Sequence, residues 1–338
     1  DGEAAVDAST IELTDDQIAQ IKEGGYTAAI CLHYGGNDWS TSQQKGLEDT
    51  FGELGIEIVA VTDANFSAET QVSNIETVMA KKPDILVSIP TDATATADAY
   101  KQAAAAGIKI VFMDQRADGL EAGKAYVSVV SADNYGNGYA SGTVLGDALG
   151  GKGKVAMVYY DANFAPTNQR DEGFRDAMKN YPDIEIVTEQ GFTDESGCAE
   201  QGDAILTQFP NIDGIYASWD VPMEGVLSAV RAAGMEGKVT LACNDLGNNV
   251  AREIASGNIA GGGAQMPYDQ GVAEAKLAAL ALLGEETPSY VAVPAETVTH
   301  ENVLEAYTDV YHVETPDWLK EALSLIHISE PTRLALIS

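Results

Sequence analysis

The chain is 338 residues long, 45% apolar and 7% aromatic, a composition that suits two domains with full cores and argues against disorder. With 19 basic against 52 acidic residues its net charge is −33, which excludes a nucleic-acid partner, because binding phosphate backbones needs a basic surface. No apolar run reaches 18 residues, so no segment reads as membrane-spanning.

The sequence opens at Asp1 without a basic or apolar leader, as a mature or trimmed N-terminus would. Its acidity reads as a solvated surface suited to salty surroundings, with a cationic ligand as the alternative. Cys31, Cys198 and Cys243 show no CxxC spacing, and His33, His300, His312 and His327 form no ligand cluster, so neither a zinc site nor any other cofactor is expected. Cys31 and Cys243 sit in apolar runs and read as small buried hydrophobes, whereas Cys198 lies in a polar stretch and reads as a free thiol.

Along the chain, Thr14 with Gln17 makes a capping box for a short helix over Thr14–Lys22, ended by Gly24-Gly25 and expected to pack outside the first sheet. From Tyr26 onward, apolar β-branched runs alternate with helical patterns, the signature of βαβ units. The first strands are predicted at Tyr26–Leu32, Ile56–Thr62, Asp84–Pro90, Ile108–Asp114 and Ala125–Ser131. Between them come helices such as Gln43–Leu54 and Ala95–Ala106, each stopped by glycine. A second series repeats the plan at Lys154–Tyr160, Ile184–Gln190, Gly214–Trp219, Lys238–Asn244 and Ile259–Gln265, with helices at Asn168–Lys179 and Met223–Ala233. A helix over Tyr268–Leu283 and a strand-like stretch, Tyr290–Val298, return the chain to the first half. Residues 323–338 read as the in-frame translation of a sequencing-library adapter, Trp318–Ala322 being the last native stretch and the natural C-terminus lying elsewhere.

In open parallel sheets ligands bind beyond the carboxyl ends of the strands. Those ends carry His33-Tyr34-Gly35-Gly36-Asn37-Asp38-Trp39, Asp114-Gln115-Arg116, Asp161-Ala162-Asn163-Phe164, Trp219-Asp220 and Asn244-Asp245. Carboxylates, amides and arginine offer forked hydrogen bonds to neighbouring hydroxyls, and indole covers the apolar side of a ring, so the mixture suits a sugar. Singly, Trp39 or Trp219 reads equally as core packing, and Asp114 or Asp245 as a helix N-cap; recurrence at several strand ends favours a site. Gly146–Lys152 approaches a P-loop but is followed by Gly153 where Ser or Thr must bind magnesium, and Gly136-Asn137-Gly138 lacks the third dinucleotide-binding glycine. No nucleophile elbow is present, so catalysis has no positive support.

From Tyr26 to Val298 the chain resembles the periplasmic sugar-binding proteins of the ribose-binding type, the type I periplasmic binding proteins. Asn37-Asp38-Trp39 is similar to the family's opening binding loop. Asp114-Gln115-Arg116 is similar to its Asp-Arg pair with one residue interposed, and Asn168-Gln169-Arg170-Asp171-Glu172-Gly173-Phe174 to its Arg-rich approach to a Gly-Phe helix, with Asn168 where the ligand arginine stands. Trp219-Asp220 looks like the family's Asn-Asp step, Asn244-Asp245 like its Phe-Asp, and Gln265 like its hinge glutamine. The resemblance implies an α/β fold of two doubly wound parallel-sheet lobes joined by three hinge strands near 132–134, 264–266 and 293–294. The first lobe is expected at 26–132 and 265–293, after an N-terminal extension at 1–25, and the second at 133–264 and 294–322.

It further implies a monomeric, extracytoplasmic, non-enzymatic component of an ABC-type uptake system, the presence of a lipid anchor being left open. The chain would close over a monosaccharide or sugar alcohol between its lobes and deliver it to a membrane permease. Asn37, Asp38, Trp39, Asp114, Arg116, Asn168, Arg170, Trp219, Asp245 and Gln265 are the expected sugar contacts. A receptor of the same fold feeding a sensor kinase is the alternative. A transcription regulator is disfavoured because only some 25 acidic-rich residues precede the first strand, too few for a helix-turn-helix.

Overall fold

A computed structural model describes residues 5–324; of the adapter-like stretch, 325–338 lie outside the described residues. The chain divides into two compact units. Unit 1 takes the residues up to Ala132, Phe164–Pro166 and Met266–Pro294; unit 2 takes Asp133–Asn163, Thr167–Gln265 and the residues from Ala295 on.

In chain order, unit 1 begins with β1 (Val6–Asp7), α1 (Asp15–Gly24), β2 (Thr27–Leu32), α2 (Asp38–Glu53), β3 (Glu57–Asp63), α3 (Ala68–Ala80), β4 (Ile85–Ser88), α4 (Ala97–Ala105), β5 (Lys109–Met113) and β6 (Ser128–Ala132). Unit 2 follows with α5 (Asn134–Ala148), β7 (Lys152–Tyr160), α6 (Ala165–Met178, in this unit from Thr167 on), β8 (Asp183–Phe192), α7 (Cys198–Gln208), β9 (Gly214–Ala217), α8 (Asp220–Ala232), β10 (Thr240–Cys243), α9 (Asn248–Ala255) and β11 (Gly261–Ala264). Next, α10 (Pro267–Leu282) and β12 (Tyr290–Val293) complete unit 1, while β13 (Glu296–Thr299), α11 (Val303–Tyr311) and helical residues 317–324 belong to unit 2.

Unit 1 holds a seven-stranded sheet in the order β1-β12-β6-β5-β4-β2-β3, parallel at every pairing. Order grows outward from β2 in both directions, which makes β2 and β4 the switch point where such sheets take ligands. One face is covered by α3 and α4: Ala29, Cys31, Leu86, Ile110 and Phe112 alternate along their strands to meet Ile75, Val78, Tyr100 and Ala103. Near-continuous burial of β2, β4 and β6 follows, since helices sit on both faces.

The six-stranded sheet of unit 2 runs β13-β11-β10-β9-β7-β8, with β11–β13 its one antiparallel pairing among the described residues. Its switch point lies at β7 and β9. Leu145 of α5 and Phe174 and Met178 of α6 pack on Val155, Met157, Tyr216 and Ala242 to form its core.

Several elements depart from the sequence reading. The helix expected from Gln43 starts at Asp38, because Asn37 caps it with Oδ1 accepting from Ser40 N at 2.7 Å. The stretch Tyr290–Val298 is two strands in two sheets, separated at Pro294, whose missing N–H cannot serve a ladder. The N-terminal extension adds β1 to the first sheet, Val6 pairing with Val291, while α1 carries the expected capping box and ends at left-handed Gly25. Cys198 is a free thiol but fully buried, and burial pushes it up to about 12.

Candidate ligand-binding site

The carboxyl ends of β9, β10 and β11 bring a charged cluster together in unit 2. Asp245 follows β10 with φ 68°, a left-handed conformation rare for a residue with a side chain. Such backbone costs of order 1–3 kcal/mol and persists where its surroundings over-determine it, a condition that clusters at ligand sites. Here Oδ2 of Asp245 accepts from Arg170 Nη1 at 3.1 Å, and Oδ1 from Gln265 Nε2 at 2.6 Å. Arg170 is held further by Nε donating to Asn134 Oδ1 at 2.9 Å and Nη1 to the Ser218 carbonyl at 3.3 Å.

Helix geometry decides which residue of the α6 segment joins this cluster. Asn168 and Arg170 lie two apart, on opposite faces of a helix; Arg170 is buried and Asn168 exposed. The approach of α6 to α5 depends on Gly138, where a Cβ would stand 1.8 Å from the Arg170 carbonyl oxygen. Gly138 is thus a helix-packing residue, whereas Gly136 lies against the Asp133 cap of its own helix.

Two further carboxylates surround the pair. Asp220, at the start of α8, accepts from Val221 N at 2.8 Å and Gly247 N at 2.9 Å. Burial, and then the charge of Asp245, push its carboxyl well above the usual range. Asp171 accepts from Ser218 Oγ at 2.6 Å. Burial raises it to about 6 against the opposing pull of that bond and of Arg175, Tyr216 and Arg170. Behind them, Asn244 Nδ2 donates to Tyr216 Oη and the Ser218 carbonyl, while Ser141 Oγ donates to Asn244 Oδ1. The expected pair Asn244-Asp245 therefore splits, Asn244 fully buried as scaffold and Asp245 in the charged cluster.

Trp219 precedes α8 and is 7% exposed, with its ring edge-on to Tyr160 (5.6 Å) and tilted on Phe192 (5.1 Å). Its Nε1 is buried without a hydrogen-bond partner, as is Gln265 Oε1. An unpaired buried polar atom costs about 1–3 kcal/mol, so a donor is held ready after β9 on Trp219 and an acceptor on Gln265, the residue that bonds Asp245.

Unit 1 carries a second set. Asp114 follows β5 with φ 53°, in the same left-handed region as Asp245 after β10; its Oδ1 accepts from Ala132 N at 3.1 Å and Ser131 Oγ at 3.2 Å. After β2, His33 meets Trp39 edge-on at 5.8 Å and stacks on Phe164 at 5.3 Å, while Tyr34 stacks on Phe66 at 4.4 Å. Trp39 is half-buried, and its Nε1 is buried without a partner. Asp38 opens α2 beside it. Arg116 donates to the Leu120 carbonyl at 3.2 Å within its own loop, and the interposed Gln115 is buried with Nε2 on the Pro90 carbonyl at 2.7 Å. Among the described residues no group of His, Cys, Asp and Glu could hold a metal ion, and no helix is long and apolar enough to cross a membrane.

Residues 28–286 match the family model described as periplasmic binding protein domain. The chain belongs to that family. A D-ribose/D-allose-binding protein of Pseudomonas aeruginosa is 29% identical over 273 residues, 78% of this chain and 83% of that one. The ribose import binding protein of Bacillus subtilis is 27% identical over 213 residues, 62% of this chain and 67% of that one. Among solved structures, an ABC transporter periplasmic solute-binding protein from Actinobacillus succinogenes with bound D-allose is 28% identical at TM-score 0.76, covering 82% of this chain and 99% of its own. A solute-binding protein from Agrobacterium vitis bound with α-D-tagatopyranose is 26% identical at TM-score 0.78, covering 85% and 98%. The fold is that of the type I periplasmic binding proteins, and the family is one of binding proteins, not enzymes.

Proposed function

We propose that the chain is the extracytoplasmic, monomeric solute-binding component of an ABC-type importer and that it binds a monosaccharide or sugar alcohol for delivery to a membrane permease. The observation that carries this reading is the cluster around Asp245. Its carboxylate, carried on left-handed backbone, is gripped by Arg170 and Gln265, and the Trp219 indole N–H and the Gln265 amide oxygen find no protein partner. A sugar hydroxyl is donor and acceptor at once and complements both. Support also comes from the sugars named for the relatives: ribose and allose among the curated proteins, allose and tagatose in the structures.

The sugar contacts are drawn from Asn37, Asp38, Trp39 and Asp114 in unit 1 and from Arg170, Trp219, Asp245 and Gln265 in unit 2. Arg116 and Asn168 are the weaker members, one tied to its loop and the other exposed. A thermal-shift screen against pentoses, hexoses, deoxysugars, alditols and inositols tests the proposal, with amino acids and polyamines as controls. Ligand at 100 times Kd adds about 2.7 kcal/mol, so one sugar class should raise the melting temperature clearly. Shifts with amines or amino acids alone would overturn the sugar assignment.

A further inference from the structure

The loop that carries Asp245 is fastened residue by residue, and two of the fasteners come from α11. Asp245 N donates to the Gly263 carbonyl at 2.9 Å, and Gly247 N to Asp220 Oδ2 at 2.9 Å. Between and beyond them, the carbonyl of buried Leu246 accepts from Tyr311 Oη at 2.8 Å, and Asn248 Oδ1 accepts from Tyr307 Oη at 2.5 Å. None of the strand-end residues described above lies on α11, whose two tyrosines stand one turn apart with ring centroids 4.8 Å from each other. Tyr307 also meets Trp318 edge-on at 5.6 Å, and the Arg252 guanidinium lies 4.9 Å over the Trp318 ring, which pins α11 against α9.

Left-handed backbone at a residue with a side chain reverts unless its neighbourhood dictates it. We propose that Tyr311, assisted by Tyr307, is a positioning residue for sugar binding: their hydroxyls hold segment 245–248 in the shape that presents the Asp245 carboxylate to Arg170 and Gln265. The inference rests on Asp245 contacting the sugar. Without the Tyr311 hydroxyl, the buried Leu246 carbonyl loses its partner, and the cheapest repair is a shift of the loop, which turns the carboxylate away from its two donors.

The test is calorimetric titration of the best sugar from the screen into wild type, Tyr311→Phe, Asp245→Asn, the double variant and Tyr181→Phe. Tyr181 is the control because its hydroxyl bonds the Thr143 carbonyl and Asp147, none of which belongs to the loop. Tyr311→Phe should weaken binding about 5–10-fold, the equivalent of one neutral hydrogen bond, with Tyr181→Phe unchanged. The double variant should bind no more weakly than Asp245→Asn alone, because the two act through one group. Amide hydrogen exchange at 245–248 should quicken in Tyr311→Phe, a readout that holds even if the double variant binds below detection.

Wild-type affinity and unchanged exchange in Tyr311→Phe would overturn the inference and leave the sugar reading standing, as would a loss fully additive with Asp245→Asn. Unchanged affinity in Asp245→Asn would remove Asp245 from the site and the inference with it. A wild-type protein that binds no sugar would end both.

Discussion

Arg170 Nη1 stands 3.1 Å from Asp245 Oδ2, and both side chains are more than nine-tenths enclosed. Burying two charges is costly, and removing one partner of such a pair typically costs 3–5 kcal/mol because the other is left uncompensated. Asp245→Ala should therefore lower unfolding free energy by about that amount, read by urea titration, and abolish sugar binding. Asp245→Asn should cost less in stability, since its carbonyl still accepts from Arg170. Equal stability of wild type and Asp245→Ala would mean the pair is not held as described.

Trp219 supplies a buried indole N–H with no protein acceptor, between Tyr160 and Phe192. If a sugar oxygen accepts from it, Trp219→Phe should lose about tenfold in affinity, near the value of one hydrogen bond. The loss should disappear for the singly deoxygenated analogue that lacks that oxygen. A loss uniform across all deoxy analogues in calorimetry would assign Trp219 to packing alone.

Acidity should stabilise the fold in a defined window. Asp171 is raised to about 6 from 3.8, so its folded form binds the proton more readily than the unfolded one. Its contribution is fully present below the unfolded value and is lost as pH rises through about 6, on the order of 3 kcal/mol. Burial raises Asp220 in the same direction, and also Glu274, buried on α10 where it accepts from Gln43 Nε2 at 2.7 Å; the net charge of −33 falls as carboxylates protonate. Melting temperature should rise from pH 7.5 to 5, with a smaller rise in Asp171→Asn; a flat or falling profile would contradict the assignment.

Gly138 marks where α5 touches the backbone of Arg170. A methyl group there would need a shift of that backbone, since its nearest atom is a carbonyl oxygen at 1.8 Å. Overpacking of this kind costs about 1–3 kcal/mol, and Gly138→Ala should lose both stability and sugar affinity, because the displaced residue is Arg170. Wild-type affinity in Gly138→Ala would show that Arg170 tolerates the displacement.

Much of the fold is legible in the sequence because burial on both faces makes the strands near-continuous apolar runs, and caps such as Thr14 with Gln17 mark helix starts. What is not legible is set by tertiary contact. Nothing in the two residues Val6-Asp7 announces a strand until β12 lies beside them. Cys198 reads as polar by its neighbours, yet it is buried where α7 meets α8, and a Cβ added at Gly225 would stand 3.1 Å from its own Cβ.

The site divides in the same way. Asp245, Trp219 and Gln265 are marked by their place after strands, but Asn134, Ser218 and Asp171 matter through what they hold, and a lone polar residue in sequence does not reveal its partner. The choice between Asn168 and Arg170 depends on the phase of α6, which packing against α5 fixes and the motif does not.

The most direct test of the account is isothermal titration of the purified wild-type chain with D-ribose, D-allose, D-tagatose and myo-inositol, alongside Asp245→Ala. Saturable one-to-one binding of at least one of them at a Kd on the order of micromolar or tighter, absent in Asp245→Ala, is the predicted result. No heat of binding with any sugar or polyol, or equal affinity in the variant, would contradict it.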